Sequence, residues 1–203
     1  MKLGLAFLLF VSLLSAQTLT LTGPASVKQG KSVTLNLGVG GPVVAAGLQW
    51  TVGLPVGFTA TSVIGGAGTT AAKTLYCTSD AALCLLVGMN TTAIGNGTVA
   101  VYSLAVPSTA TLGANPIPLS GLVAVNAAGG SLAITPGATY SILVLAKQDI
   151  NGDGVVDNAD VQLMIDQVRA ARTNPAACVD DMNADGKCDL VDVFNVVLKA
   201  LGL

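Results

Sequence analysis

The sequence predicts a mainly β protein, with a β-sandwich over residues 17–147 and a small α-helical domain over residues 148–203. Three observations support this prediction. Apolar residues alternate with polar ones in the first region, turns rich in Gly and Pro interrupt it at short intervals, and the apolar spacing becomes helical near the C-terminus. Eight or nine short strands separated by such turns are typical of a β-sandwich.

Residues 1–16 form a separate element ahead of the predicted sandwich. Met1 and Lys2 give a positively charged start, residues 3–14 are apolar, and the small residues Ser15 and Ala16 precede Gln17. This order predicts a secretory signal peptide and therefore a secreted, extracellular protein. The apolar run is shorter than the about 20 residues that a membrane span needs. Retention of this segment as an uncleaved N-terminal anchor is the alternative.

The strand pattern is clearest near the start of the predicted sandwich. In the first long strand, apolar residues alternate with polar or small ones: Val33, Leu35, Leu37 and Val39 with Ser32, Thr34, Asn36 and Gly38. One face of this strand is therefore expected to be apolar and the other polar. Residues 18–22 alternate in the same way, with Leu19 and Leu21 between threonines. Further strand candidates are residues 45–53, 58–64, 83–89, 98–106, 117–125, 131–134 and 139–145. No helix is expected before Asp157. Trp50 is expected in the core rather than as a sugar-stacking platform, because aromatic residues make up only 4% of the chain.

Nearly all of the negative charge lies in the last quarter of the chain. All eleven acidic residues are Asp, and only Asp80 precedes Asp149. Two twelve-residue segments, offset by 32 residues, carry Asp or Asn at positions 1, 3, 5, 9 and 12 and Gly at position 6. These are the ligand positions of a calcium loop, in which position 7 contributes a backbone carbonyl. A solvated acidic surface is the alternative, but it has no reason to repeat at a fixed register.

The sequence therefore predicts two Ca²⁺ ions, one in each loop. The predicted ligands of the first loop are Asp149, Asn151, Asp153, Val155, Asp157 and Asp160. Those of the second loop are Asp181, Asn183, Asp185, Lys187, Asp189 and Asp192. Each loop runs into an amphipathic helix, with apolar residues at 161, 164, 165 and 168 and again at 193, 196, 197 and 200. Because a segment this small has little core, calcium binding and folding are expected to be coupled.

A paired loop and helix with Asp at both twelfth positions resembles a dockerin domain, over about residues 148–203. This resemblance implies calcium-dependent binding to cohesin domains. It also implies partner-binding residues at loop positions 10 and 11, which are Asn158 and Ala159 in the first repeat and Leu190 and Val191 in the second. Neither pair is the hydroxyl-containing pair of the best-known cellulose-degrading systems.

The first domain resembles a cohesin in the order of four segments, residues 27–33, 46–50, 97–100 and 137–142. This resemblance implies a jelly-roll β-sandwich and dockerin domains as partners. Some carbohydrate-binding modules share the jelly-roll sandwich, so polysaccharide is an alternative ligand. The junction around residues 145–147 is short, so any pairing of the two domain types is expected to join different chains head to tail.

The four cysteines lie in two close pairs, Cys77 with Cys84 and Cys178 with Cys188. Local disulfides are the simplest of the three connectivities that four cysteines permit, and they agree with export. The chain has no His and neither spacing is the short pair of a zinc knuckle. A zinc site and free buried thiols are the alternatives.

The composition argues against catalysis. Glycoside hydrolysis needs two carboxylates, and residues 17–147 contain only Asp80. The absence of His excludes the usual general base, and nine scattered basic residues with a pI near 4.7 make no nucleic-acid footprint. We therefore expect a non-enzymatic, calcium-dependent scaffold protein of an extracellular polysaccharide-degrading assembly. The alternatives are a carbohydrate-binding protein tethered through its dockerin and a structural protein of a surface or matrix.

Overall fold

The computed structural model describes residues 16–42 and 45–203. The predicted signal peptide, except for Ala16, lies outside the described residues. The described part of the sandwich region contains thirteen strands: β1 (Gln17–Thr22), β2 (Ser26–Lys28), β3 (Ser32–Gly40), β4 (Gly47–Val52), β5 (Thr59–Ile64), β6 (Thr74–Cys77), β7 (Leu83–Val87), β8 (Gly97–Ala105), β9 (Gly113–Ile117), β10 (Leu119–Val125), β11 (Ser131–Leu132), β12 (Ile134–Pro136) and β13 (Tyr140–Leu145). A five-residue helix, α1 (Gly66–Thr70), follows β5.

The strands form two five-stranded sheets and one small sheet. The first sheet has the order β12-β1-β3-β8-β5, the second has the order β11-β10-β4-β7-β6, and the small one has the order β2-β13-β9. Most neighbours are antiparallel, while β1 with β12 and β13 with β2 are parallel. The inward side chains of all three sheets meet in one apolar core, which includes Leu19, Leu37, Leu86, Leu104 and Ile142.

Each strand candidate of the sequence analysis overlaps a strand of the structure, but β2, β6 and β9 were not predicted. The β9 strand contains the pair Asn115 and Pro116, a pair that predicts a turn. In the structure Pro116 lies opposite Ser141, and β9 is an edge of the small sheet, where a residue without an N–H is tolerated. The expectation of no helix before Asp157 was wrong, because α1 forms one short turn beside β8.

Trp50 lies at the centre of the sandwich core, with none of its surface exposed. Its Nε1–H donates a hydrogen bond to the Tyr102 hydroxyl at 2.6 Å, so its one polar group is satisfied. Burial raises the pKa of Tyr102 to about 12. The expectation that Trp50 is a core residue is confirmed, and this side chain is not available to stack on a sugar.

The C-terminal region contains two helices, α2 (Asn158–Ala171) and α3 (Leu190–Ala200), and a short 3₁₀ helix (Pro175–Ala177). The helices pack on each other around a small core of Met164, Val168, Met182, Cys188 and Val196. None of the helices in the described residues has the length and apolar character required to span a membrane.

All four cysteines form disulfides, with the local pairing that was expected. Cys77 and Cys84 face each other across β6 and β7, with their Cα atoms 4.1 Å apart. Cys178 follows the 3₁₀ helix and bonds to Cys188, which is position 8 of the second acidic loop. The second disulfide therefore ties the approach to this loop directly to the loop itself.

Candidate calcium loops and interaction faces

Position 12 organises each acidic loop through backbone hydrogen bonds. In the first loop, Asp160 is fully buried and its carboxylate accepts the N–H groups of Ile150 at 2.7 Å, Asn151 at 3.1 Å and Asp157 at 2.9 Å. These bonds join the two ends of the loop and fix the first turn of α2. Asp160 is therefore both a predicted ligand and the residue that closes the loop.

Position 12 of the second loop does the same. Asp192 is fully buried and accepts the N–H groups of Met182 at 2.7 Å and Asp189 at 2.8 Å. Position 9 has a role that the sequence analysis missed, since Asp157 and Asp189 are the N-caps of α2 and α3 and form capping boxes with position 12. The spacing of a capping Asp and an acidic residue three positions later was the available signal.

Position 1 holds the middle of each loop. Asp149, 1% exposed, accepts the N–H groups of Gly152 at 2.7 Å and Gly154 at 2.9 Å. Asp181 accepts the N–H groups of Ala184 at 2.6 Å and Gly186 at 2.7 Å. The sequence repeat is therefore also a repeat of hydrogen bonds.

The backbone bends in the same way at positions 4 and 6 of both loops. In the first loop Gly152 and Gly154 have φ values of 77° and 94°, and in the second Ala184 and Gly186 have 60° and 86°. Glycine adopts this left-handed region without a steric penalty, which explains Gly at position 6 of both loops. Ala184 adopts it with a Cβ atom, at a cost of roughly 1 kcal/mol.

The side chains at positions 3 and 5, which are also predicted ligands, form hydrogen bonds with the loop backbone. Side-chain oxygens at positions 3 and 5 accept N–H groups two residues ahead, as in the bonds from Asp153 N to Asn151 Oδ1 at 2.9 Å and from Val155 N to Asp153 Oδ1 at 2.8 Å. The second loop repeats these bonds at Asn183, Asp185 and Lys187, with distances of 3.1 and 2.9 Å. The structure therefore brings all twelve predicted ligand residues into two loops of matching form.

Opposing effects set the pKa of Asp181. Desolvation acts to raise its pKa, but hydrogen bonds from the N–H groups of Gly186, Ala184 and Asp185, together with the positive charge of Lys147, lower it. The net effect is a pKa below the usual value for Asp.

The chemistry of the loops fits calcium, which prefers carboxylate, amide and carbonyl oxygens. Asp149, Asp160 and Asp192 are buried carboxylates, and no basic side chain of the described residues lies within 4.0 Å of them. Buried charges are ordinarily paired or bound to a metal. The described residues contain no cluster of three or more His, Cys, Asp or Glu side chains that could hold a metal ion. An ion in these loops would therefore need the Asn and backbone carbonyl oxygens as well as carboxylates.

The predicted partner-binding residues lie at the exposed starts of the two helices. Asn158 and Ala159 are exposed at the start of α2. Leu190 and Val191, 73% and 49% exposed, begin α3. Two further apolar residues of the second repeat, Phe194 and Leu201, are 60% and 68% exposed. We refer to the last four residues, Leu190, Val191, Phe194 and Leu201, as the apolar helix face.

A second exposed apolar surface lies on the outer side of the sheet that contains β4. Strand register places Tyr76 opposite Leu85, Leu85 opposite Gln49, and Gln49 opposite Val123, so these residues form one row across four strands. The next row runs from Leu83 through Thr51 to Ser120. None of these side chains is charged. We refer to the two rows as the apolar sheet face: Tyr76, Leu85, Gln49, Val123, Leu83, Thr51 and Ser120.

Sequence reasoning missed the apolar sheet face. Its large apolar side chains, Tyr76, Leu83, Leu85 and Val123, are 61%, 42%, 39% and 45% exposed. They come from the consecutive strands β6 and β7 and from β10, which lies far along the chain, and only the pairing of β6, β7, β4 and β10 brings all four together. The alternation of inward and outward residues in β7 was a usable signal for Leu83 and Leu85 alone.

Comparison with known proteins identifies the fold of the sandwich. No protein-family model and no curated protein matches this sequence. Among solved structures, the chain is similar to the non-cellulosomal cohesin of the hyperthermophilic archaeon Archaeoglobus fulgidus, with a TM-score of 0.52, 9% identity, and coverage of 67% of this chain and 96% of that one. It is also similar to a chain of a type I cohesin–dockerin complex from Clostridium thermocellum, with a TM-score of 0.53, 10% identity, and coverage of 64% and 99%.

A third similar structure is CaCohA2 from Clostridium acetobutylicum, with a TM-score of 0.50, 13% identity, and coverage of 63% of this chain and 90% of that one. These similarities at low identity define the class of fold, a cohesin-type jelly-roll β-sandwich. The described chain is thus mainly β, with a cohesin-like sandwich followed by a small helical region.

Proposed function

We propose that this chain is a secreted, non-catalytic scaffold protein that joins other proteins through a cohesin-type sandwich and a calcium-dependent, dockerin-like module over residues 148–203. The observation that carries the proposal is the pair of uncharged, exposed surfaces, the apolar sheet face and the apolar helix face, on one chain. Exposed apolar surfaces of this kind mark interaction sites. The partners are cohesin- or dockerin-type domains of other extracellular proteins, including further copies of this chain.

The solved complex supports the role assigned to the sandwich. One of the similar structures is a cohesin–dockerin complex, so a sandwich of this fold binds a dockerin there. On this chain the apolar sheet face is the surface best suited to receive such a module, because several large apolar side chains converge on it without a buried charge. The setting proposed for this assembly is extracellular polysaccharide degradation.

Calcium is proposed to order the module. The loops supply buried carboxylates without basic partners, and position 9 of each loop caps the following helix, of which α3 carries the apolar helix face. Binding of an ion at each loop would neutralise part of the charge of ten Asp residues, against which residues 148–203 hold only four basic residues. The Asp residues at positions 9 and 12 of each loop, which form a capping box, then hold the start of the following helix in place.

Pairing between copies follows from the exposure of both faces. Neither face is covered by the rest of its own chain, since their large apolar side chains stay 39–73% exposed in the complete described structure. An interface in which the helix face of one copy meets the sheet face of the next uses different surfaces on each molecule, so it forms head-to-tail assemblies, either open chains or closed rings. With calcium present, we expect growth beyond the dimer as concentration rises, measured by sedimentation velocity.

Two variants make this prediction specific. Leu85→Arg places a charge in the sheet face and Phe194→Arg places one in the helix face, and burying either charge without a partner is costly. Each variant alone is expected to be monomeric, whereas an equal mixture stops at the dimer, since each partner retains one intact face. Val63→Arg, on the opposite five-stranded sheet at a residue that is 62% exposed, is the matched control and should assemble like the parent. A parent protein that remains monomeric at high concentration would contradict pairing between copies.

A further inference from the structure

Two lysines outside the module contact the two acidic loops at equivalent positions. Lys28, at the end of β2, donates from Nζ to the carbonyl oxygen of Ile150 at 3.1 Å. Lys147, directly after β13, donates from Nζ to the carbonyl oxygen of Met182 at 2.8 Å. Ile150 and Met182 are both the second residue of their loops. The sandwich and its junction therefore hold each loop by the same backbone group.

The position-12 carboxylates hold these same two residues from the other side. The N–H of Ile150 donates to Asp160 and the N–H of Met182 donates to Asp192, both at 2.7 Å. Each second residue is thus fixed by a predicted calcium ligand at its N–H and by a lysine at its C=O. One residue of each loop therefore links position 12 to a lysine of the sandwich or its junction.

Lys28 also connects the two repeats of the module. Its Nζ lies 3.5 Å from Asp180 Oδ1, just before the second loop, and both side chains are mostly buried at 20% and 12% exposure. The other oxygen of Asp180 accepts a hydrogen bond from Gln167 of α2 at 2.8 Å. One sandwich lysine therefore contacts the first loop and, through Asp180, both the second repeat and α2.

The opposite charges of the two regions favour contact between the sandwich and the module. Residues 17–147 contain four Lys and a single Asp, whereas residues 148–203 contain ten Asp and four basic residues. Two of the four sandwich lysines make the contacts described above. A third, Lys31, is exposed and makes no side-chain hydrogen bond or ion pair to the module in the described structure.

We infer that Lys28 and Lys147 are positioning residues that lock the module onto the sandwich when its loops bind calcium, so that the ion sets the direction of the apolar helix face. The inference rests on the proposed calcium binding. Without the ion, repulsion among the loop carboxylates loosens position 12, and the two carbonyl acceptors lose their fixed place. The module then loses order and its fixed orientation on the sandwich, and the geometry between the two apolar faces is lost.

The test compares the tumbling of the two domains by ¹⁵N relaxation on the chain from Gln17 onward. All samples carry Leu85→Arg, which keeps the molecule monomeric. With calcium we expect one rotational correlation time for sandwich and module amides. With Lys28→Met and Lys147→Met together, calcium uptake and helix content stay, but the correlation time of the module falls by roughly a factor of two, because a small tethered body tumbles faster than the whole chain. Lys31→Met is the matched control and should tumble as one body.

Specific results would overturn the inference. A double variant that binds calcium and still tumbles as one body would show that the lysines do not lock the module, and independent tumbling of the calcium-loaded parent would do the same. If the double variant does not fold, the single variants each remove one contact and should give intermediate correlation times. Failure of the proposed function is distinguishable, since it appears as an absence of calcium uptake in calorimetry.

Discussion

Replacing Asp160 with Ala is expected to unfold the C-terminal module while the sandwich remains folded. The carboxylate is fully buried and accepts three backbone N–H groups. A hydrogen bond to a charged group contributes about 1.5–3 kcal/mol, and the first loop also loses its twelfth ligand. Because small domains are only marginally stable, a loss of several kcal/mol exceeds what a core of five buried residues can offset.

Circular dichroism at 222 nm, recorded with calcium during thermal unfolding, measures this effect. The variant should lack most of the helix signal at temperatures where the parent retains it. Asp166→Ala is the matched control, because Asp166 is an exposed residue of α2 whose ion pair with Arg169 lies on the surface. Its expected effect is below about 1 kcal/mol. Full helix content in Asp160→Ala would show that position 12 does not hold the module together.

Replacing Trp50 with Ala is expected to lower the free energy of unfolding of the sandwich by about 3–5 kcal/mol, through lost apolar contacts and the cavity that remains. Trp50 is fully buried, and its substitution also removes the donor to the Tyr102 hydroxyl. Both strand neighbours of this residue, Gln49 and Thr51, face outward in the apolar sheet face. The core side chain therefore supports the surface proposed for partner binding.

Urea unfolding followed by circular dichroism in the β-sheet region measures the effect of Trp50→Ala. Val123→Ala, at a residue of the apolar sheet face that is 45% exposed, is the control and should change the free energy of unfolding by less than about 0.5 kcal/mol. An unfolding midpoint in Trp50→Ala equal to that of the parent would contradict a core role. It would instead place this side chain at the surface.

The parts of the molecule that depend on neighbouring residues were predictable from the sequence. The ligands of each acidic loop lie within twelve residues, and their spacing alone indicated both loops. The disulfide partners Cys77 and Cys84 are separated by seven positions and Cys178 and Cys188 by ten, so the local pairing was the simplest expectation. Period-2 alternation likewise located the longer strands, because inward and outward residues differ in polarity.

The parts that depend on distant residues were not predictable. Tyr76 and Val123 share a row only through the register of four strands, and register is set by the whole sheet. Lys28 contacts Ile150 across 122 positions, and nothing in the local sequence of either residue marks this contact. At Pro116 the local sequence predicted a turn, but pairing with a distant strand makes this residue part of an edge strand.

Calcium titration of the chelator-stripped protein by isothermal calorimetry is the most direct test of the central claim, that the two acidic loops bind calcium and thereby order the docking module. The account predicts uptake of two Ca²⁺ ions per chain, with a parallel gain in the helix signal at 222 nm. The absence of any heat of binding, together with the same helix content before and after calcium addition, would contradict it.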